Sequence, residues 1–145
     1  MENRKVFDKL DPTLGNKFFI PLPSDALHYI YHERMSADKL FLYALIIDYY
    51  NPKEGYAWPA VETLAVKYGR APDTTSKHLD DLKEVGLIDF PEKGYYIPLV
   101  PLSEEEFFLE FPQALESYQL TTKRYEERKA ASKERIRQWR AKYTG

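Results

Sequence analysis

The sequence predicts a mainly α-helical fold with a small β-hairpin and a long C-terminal helix. Three observations support this prediction. Apolar residues recur at helical spacing between residues 36 and 86. Two β-prone segments with turn residues between them follow directly, as in a hairpin. From about Pro112 the sequence then predicts one long helix to Tyr143.

Composition indicates one domain with a tail. The chain has 145 residues, of which 43% are hydrophobic and 30% charged, as in a soluble protein with a single core. It contains no cysteine, which excludes a disulfide framework and a thiolate zinc site, and with them most zinc-finger modes of DNA binding. No run approaches the roughly 20 apolar residues of a membrane span, so we expect a cytoplasmic protein.

The charge is divided unequally along the chain. Residues 121–145 contain nine lysines and arginines but only three glutamates, so this segment carries a net charge of +6. The whole chain carries −2, and the remaining residues therefore carry −8.

The predicted domain begins with a proline-ended apolar segment. Residues 16–23 (NKFFIPLP) suit a short extended segment or an edge strand. We therefore place an N-terminal arm at residues 1–16 and the domain at residues 17–111. Ser24 offers an N-cap for a short helix that ends near Arg34.

A buried scaffold helix is predicted next. Ser36 is a second N-cap, and apolar residues surround most of the helix that continues towards Tyr50. Asn51 and Pro52 end this helix, because the residue before a proline disfavours helical backbone.

Two short helices with a tight turn between them are predicted at residues 59–69 and 72–85. Each starts with its own proline, whose missing N–H group would have no partner in a first helical turn. Gly69 ends the first helix and Gly86 ends the second.

A wing is predicted at residues 87–98. The β-prone segments 87–90 and 95–97 are separated by Pro-Glu-Lys-Gly, which is turn chemistry of hairpin length. Ser103 then caps a short helix whose first carboxylates favour a helix N-terminus. The basic C-terminal helix occupies residues 112–145.

One series of residues in the two short helices and the wing indicates a function. The series consists of leucine-alanine at 64–65, Gly69, threonine-threonine at 74–75, Leu79, Leu82 and glycine-leucine-isoleucine at 86–88. Ala65 is small where the second helix crosses close to it, and Gly69 allows the backbone to reverse tightly.

This series resembles that of the winged helix-turn-helix family of bacterial DNA-binding proteins over about 30 residues. More loosely, residues 39–52, residues 101–115 and the basic tail are similar to replication initiators and related regulators of plasmids and phages in Gram-positive bacteria. The resemblance implies that the second helix lies in the major groove of DNA while the wing contacts phosphate or the minor groove.

Helical geometry assigns the contacts that this resemblance implies. Thr75, Leu79 and Leu82 turn inward, so the intervening polar residues turn outward or sideways. The residues expected to contact DNA are Arg70, Asp73, Thr74, Ser76, Lys77 and Lys93 in the domain and Lys123, Arg124 and Arg128 in the tail. Among them, Thr74, Ser76 and Lys77 are the best candidates for base or phosphate contacts.

The outward face of the second helix departs from the family in its charge. Its acidic residues are Asp73, Asp80, Asp81 and Glu84, against one lysine at position 77. Carboxylates repel phosphates, although one can accept a hydrogen bond from a cytosine amine. We therefore expect Arg70 to restore a phosphate contact and the basic tail to supply much of the attraction.

Other interpretations of the tail and the tyrosines stay open. The alternative interpretation of the basic tail is a solvated helix, or a partly disordered segment, stabilised by ion pairs such as Glu134 with Arg137. A seam for a homodimer is indicated by spacings that are multiples of seven, in one series of Tyr118, Tyr125 and Trp139 and a second of Thr122, Lys129, Ile136 and Tyr143. Tyrosines 49, 50, 56, 95 and 96 are expected to be core and interface residues rather than a stacking platform for single strands.

We predict sequence-specific binding to double-stranded DNA in replication initiation or transcription regulation of a bacterial mobile element or chromosome, with replication or transcription proteins as further partners. The alternative is a protein-interaction winged-helix adaptor that does not read DNA. No enzyme is expected, since the sequence has no P-loop, dinucleotide-binding turn or nucleophile elbow. No cofactor or metal is expected either, because His28, His32 and His78 are too few for a site.

Overall fold

The computed structural model describes residues 7–11 and 19–144, with side chains up to Tyr143. Its elements in order are a 3₁₀ helix (Ser24–Tyr31), α1 (Ala37–Tyr49), α2 (Val61–Tyr68), α3 (Pro72–Glu84), β1 (Ile88–Asp89), β2 (Ile97–Pro98), α4 (Glu104–Glu110) and α5 (Pro112–Thr144). The prediction of a mainly helical fold with a small hairpin and a long C-terminal helix is confirmed.

Much of the predicted N-terminal arm lies outside the described residues. Within the arm at 1–16, only residues 7–11 are described. Of the apolar segment at 16–23, residues 19–23 are described and form no strand. Pro21 and Pro23 lack the N–H groups that a sheet ladder requires.

Helix α1 is the centre of the core. Leu42, Tyr43 and Ile46 on this helix are at most 1% exposed. They lie in one hydrophobic cluster with Leu64 of α2 and Phe107 of α4. Because helices surround α1, its sequence is apolar on most sides, which is the pattern that predicted a buried scaffold.

Helix α2 starts two residues later than predicted. Ala60 is its N-cap, with extended backbone at φ −63° and ψ 157°, so Pro59 precedes the helix and is not its first residue. Backbone pairing causes the difference: Ala57 and Tyr96 exchange two hydrogen bonds, of 2.7 and 2.8 Å, which hold the preceding chain extended. Pro72, by contrast, lies in the first turn of α3 as predicted.

The hairpin is shorter than predicted but has the expected position. Its antiparallel register pairs Ile88 with Pro98 and Asp89 with Ile97. The bridge between Ala57 and Tyr96 adds a third chain segment beside it. The wing is therefore joined to the loop that precedes α2.

Side chains of the N-terminal helices hold the segment between the wing and α4. The Tyr43 hydroxyl donates to the Leu99 carbonyl at 2.6 Å, and the Tyr29 hydroxyl accepts from the Leu102 N–H at 2.8 Å. Nε2 of His28 lies 2.9 Å from the Leu102 carbonyl oxygen. These contacts fix the chain at the point where it leaves the hairpin.

Helix α4 packs against the domain, whereas α5 begins against the domain and ends in solvent. The Ser103 hydroxyl accepts from the Glu106 N–H at 3.2 Å, which confirms the predicted cap. On α5, Ala114 is buried and the Tyr118 ring lies 5.1 Å from that of Tyr31. From residue 119 to 143 every side chain is exposed. Among the described residues, no helix is both long and apolar enough to cross a membrane.

Candidate nucleic-acid interface

The turn between α2 and α3 is tight because Gly69 adopts left-handed backbone. Its φ of 74° and ψ of 25° lie in a region that side chains with a Cβ atom disfavour. The N–H groups of Gly69 and Arg70 both point back to the Ala65 carbonyl, at 2.8 and 3.3 Å. The chain therefore reverses within a few residues and leaves α3 packed against α2.

The inward face of α3 is the one predicted. Thr75, Leu79 and Leu82 are 0% exposed. Thr75 is polar, but its hydroxyl donates to the Ala71 carbonyl at 3.0 Å and so has a partner inside the core. Burying this face fixes which residues of α3 are presented to the outside.

The outward residues of the first α3 turns lie together on one surface. Asp73 and Lys77 are exposed, while Thr74 and Ser76 are partly buried. A hydroxyl, an ammonium and a carboxylate within two turns offer donors and acceptors that match base edges and phosphates.

Lys93 connects the wing to this surface. Its Nζ lies 2.6 Å from the Ser76 hydroxyl oxygen and 3.0 Å from the Asp80 carboxylate. The structure thus brings two predicted DNA-contacting residues, Lys93 and Ser76, into direct contact. It also pairs Asp80, one of the four acids on this face, with a cation.

A second acidic residue of α3, Asp81, pairs with one cation on α1 and one in the segment before α1. The Asp81 carboxylate lies 3.0 Å from Lys39 Nζ and 3.5 Å from the Arg34 guanidinium. The sequence predicted an outward face of α3 with four acidic residues and one lysine. Ion pairs from other elements leave the face less acidic than that prediction, with Asp73 and Glu84 exposed at its edges.

Arg70 is turned towards α1. Its guanidinium pairs with the Asp38 carboxylate at 3.0 Å and is half exposed. A hydrogen bond from the Ser36 hydroxyl, with smaller contributions from the Lys39 N–H and Arg70, lowers the pKa of Asp38. A phosphate contact by Arg70 would have to compete with this carboxylate.

The predicted tail contacts lie apart from α3 in sequence and structure. Lys123, Arg124 and Arg128 are exposed on the part of α5 that extends beyond the domain core. Further along, Arg137 pairs with Glu134 at 2.7 Å, as predicted for a solvated helix. The structure therefore offers a cationic region along α5 that is separate from Lys93, the one lysine of the wing.

The three histidines have structural partners in place of a shared ligand. His28 contacts the Leu102 carbonyl, the His32 ring lies 4.6 Å from the Phe111 ring, and His78 contacts the Tyr68 hydroxyl. Within the described residues, no group of three histidine, aspartate or glutamate side chains is arranged to hold a metal ion.

The match to known proteins falls on this part of the chain. A family model described as a helix-turn-helix domain matches residues 33–88. That range contains α1, the unit of α2, turn and α3, and the start of β1. The chain therefore carries a helix-turn-helix domain, and the hairpin that follows α3 gives it a wing. A domain of this class suggests DNA binding. Comparisons with curated proteins and with solved structures gave no significant match.

Proposed function

We propose that this chain binds double-stranded DNA sequence-specifically, with α3 in the major groove and the wing beside it. The observation that carries the proposal is the surface formed by Thr74, Ser76 and Lys77, with Lys93 of the wing in contact with Ser76. The role is one of binding rather than catalysis, and it requires no cofactor. It serves replication initiation or transcription regulation of a bacterial mobile element or chromosome.

The residues on this surface have separate roles in the proposal. Lys77 and Thr74 reach base edges or phosphates from the first turns of α3. Asp73, which is exposed at the start of α3, accepts a hydrogen bond from a cytosine amine. When DNA binds, Lys93 leaves its ion pair with Asp80 and pairs with a phosphate instead.

The C-terminal helix supplies the long-range attraction in this proposal. Residues 121–145 carry a net charge of +6, against −8 for the rest of the chain. Each phosphate that a lysine or arginine neutralises releases counterions, so affinity rises with the number of such contacts. The exposed lysines and arginines of α5 fit this role better than the domain does, because the rest of the chain carries a net negative charge.

Single substitutions on α3 test the reading surface. A preferred site is first selected from a random duplex pool, and binding of the full chain to it is then measured. We expect Thr74→Ala and Lys77→Ala to weaken specific binding by about 1–3 kcal/mol each. Lys67→Ala on α2 is the matched control, since it removes the same charge from another helix. If all three variants bind equally well, α3 is not the reading helix.

Salt dependence tests the tail. A triple variant that replaces Lys123, Arg124 and Arg128 by glutamine is compared with wild-type protein on random duplex DNA. Loss of three phosphate contacts should reduce the slope of log affinity against log salt by about 2.7. Replacing Lys133, Arg135 and Lys142 instead changes the charge equally and shows whether the contacts lie near the domain. An unchanged slope in both variants would exclude the tail from DNA binding.

One outcome would favour the adaptor interpretation. If the full chain binds no DNA at low salt, the surface around α3 is left as a partner surface for replication or transcription proteins. If it does bind, mapping the bound sites to an origin or to promoters separates the replication role from the transcription role.

A further inference from the structure

Three aromatic rings form an exposed cluster between the wing and the loop before α2. The Tyr56 ring lies 5.4 Å from the Trp58 ring and 5.4 Å from the Tyr95 ring, measured between centroids. Trp58 is 52% exposed and Tyr95 is 45% exposed. Grouped exposed aromatic side chains are uncommon on a protein surface unless something binds them.

The cluster borders a surface cavity of about 530 Å³. Besides the three rings, the cavity is lined by Lys93 and Gly94 of the wing and by Glu62 in the first turn of α2. The site thus combines aromatic surfaces with one cation and one carboxylate.

Lys93 places this cavity next to the proposed DNA-reading surface. Lys93 lines the cavity, and its ammonium group lies 2.6 Å from the Ser76 hydroxyl of α3. A DNA strand that follows α3 past Ser76 would therefore reach the aromatic cluster next.

We propose that this cavity binds an unpaired nucleobase at the end of, or within, the DNA that α3 holds, and this inference rests on the proposed function. The base stacks on Trp58 or Tyr95, as bases stack on aromatic side chains in single-strand binding proteins. Lys93 neutralises the phosphate of the same nucleotide.

The carboxylate of Glu62 gives the site a base preference. A carboxylate accepts hydrogen bonds, and cytosine presents an N4 amine where thymine presents a carbonyl oxygen. Opposite a thymine, the Glu62 carboxylate would face an acceptor and lose this bond. The cavity therefore prefers an unpaired cytosine to an unpaired thymine.

The test uses the full chain with Trp139→Phe, which leaves Trp58 as the single tryptophan. Three DNAs carrying the selected duplex site are compared: a blunt duplex, one with a short single-stranded cytosine extension and one with a thymine extension. We expect the cytosine extension to raise affinity about fivefold or more, the effect of stacking one base, and to quench Trp58 fluorescence. The thymine extension should give a smaller gain.

Substitutions in the cavity test whether the gain in affinity from the single-stranded extension arises there. Trp58→Ala and Tyr95→Ala should abolish the gain from the extension and leave binding to the blunt duplex unchanged. Trp58→Phe keeps an aromatic face and should retain most of the gain, which separates stacking from folding defects. Tyr125→Ala, which removes an exposed aromatic ring from α5, is the matched control.

The outcomes distinguish the two proposals. If the blunt duplex binds specifically but neither extension adds affinity nor quenches Trp58, the inference fails and the proposed function stands. If a duplex with an extension binds and quenches Trp58 while the blunt duplex does not bind, the cavity is supported and the duplex-reading proposal fails. If no DNA binds, both fail.

Discussion

The Tyr68 hydroxyl on α2 and Nδ1 of His78 on α3 lie 2.8 Å apart and share a hydrogen bond between the two helices. Burial lowers the pKa of His78 from its ordinary value of 6.5, and the nearby charges of Lys39 and Arg70 lower it further, against opposing effects of Asp38 and Asp81. The folded protein therefore favours the neutral ring at this position.

A loss of stability in mild acid follows from this pKa. As pH falls through about 6.5, the unfolded chain takes up a proton on His78 before the folded one does, so the free energy of unfolding decreases. His78→Asn keeps a polar group and cannot titrate, so its stability should depend less on pH. Denaturant unfolding at about pH 7.5 and about pH 5.5 measures both slopes. The pKa of His32 is also lowered by burial, so some slope should remain. Identical slopes in variant and wild type would contradict this role of His78.

The hydroxyl groups of three buried tyrosines should contribute differently to stability. Tyr43 and Tyr29 bind the backbone of Leu99 and Leu102, so removing either hydroxyl leaves a backbone group without its partner. Tyr43→Phe and Tyr29→Phe should each lower the free energy of unfolding by about 1–3 kcal/mol. The buried Tyr96 hydroxyl makes no hydrogen bond of normal geometry among the described residues, although an interaction with the Gly94 backbone opposes the rise in its pKa that burial causes, so Tyr96→Phe should cost less than either of the other two substitutions. Urea unfolding of the three variants checks the order, and a large loss in Tyr96→Phe would show a missed partner.

Neutralising Asp80 should strengthen DNA binding. Asp80→Asn removes a carboxylate from the α3 face and releases Lys93 from its ion pair, so a phosphate gains a freer cation. We expect affinity for duplex DNA to rise several-fold, by up to about 1 kcal/mol. Asp48→Asn on α1 makes the same charge change and is the control. DNA titrations of both variants at two salt concentrations measure the effect. If the two substitutions raise affinity equally, only the net charge of the chain matters.

Gly69→Ala should destabilise the domain through its backbone alone. A Cβ atom at Gly69 would meet nothing within 4 Å, so the cost arises from the left-handed φ of 74°. That cost is about 1–2 kcal/mol. Gly69→Asn should cost less, since asparagine tolerates this region better. Thermal unfolding measures both. Equal losses for alanine and asparagine would argue against a backbone origin.

The heptad spacing predicts that two copies of the chain associate through the end of α5. The salt dependence of dimerisation tests this prediction. Ile136, Trp139 and Tyr143 are 56%, 57% and 76% exposed on one stretch of this helix. Arg135 and Lys142 adjoin them, so two copies repel each other until salt screens the charges. Light scattering should show more dimer at high salt in wild-type protein and none in Trp139→Lys. A wild-type monomer under both conditions would exclude this interface.

The helices were predictable because their signals are local. The Ser103 cap, the Gly69 turn and the Pro72 start each act within one helical turn, and the spacing of Thr75 and Leu79 identified the buried face of α3. These signals need no knowledge of the rest of the fold.

The errors and omissions come from contacts between residues distant in sequence. Pro59 was placed in a helix because nothing near it reveals the pairing of Ala57 with Tyr96. The ion pairs of Asp81 with Lys39 and of Arg70 with Asp38 were equally hidden. They change the charge that the candidate site presents.

One missed feature had a usable signal. Adjacent residues of an extended segment point to opposite sides, so Tyr95 and Tyr96 could not share one environment. The structure buries Tyr96 completely and leaves Tyr95 45% exposed. The contacts of the nine residues assigned to DNA stay predictions.

The 33 residues of α5 also set a length scale. At about 1.5 Å per residue the helix measures about 50 Å, which is the axial rise of about 15 base pairs of B-form DNA. Tyr118 contacts the domain 26 residues before Thr144, so whatever binds the tip of α5 is separated from that contact by a stiff spacer of about 39 Å, a little more than one duplex turn. Shortening that spacer by a few residues would rotate its tip by about 100° per residue as well as draw it in.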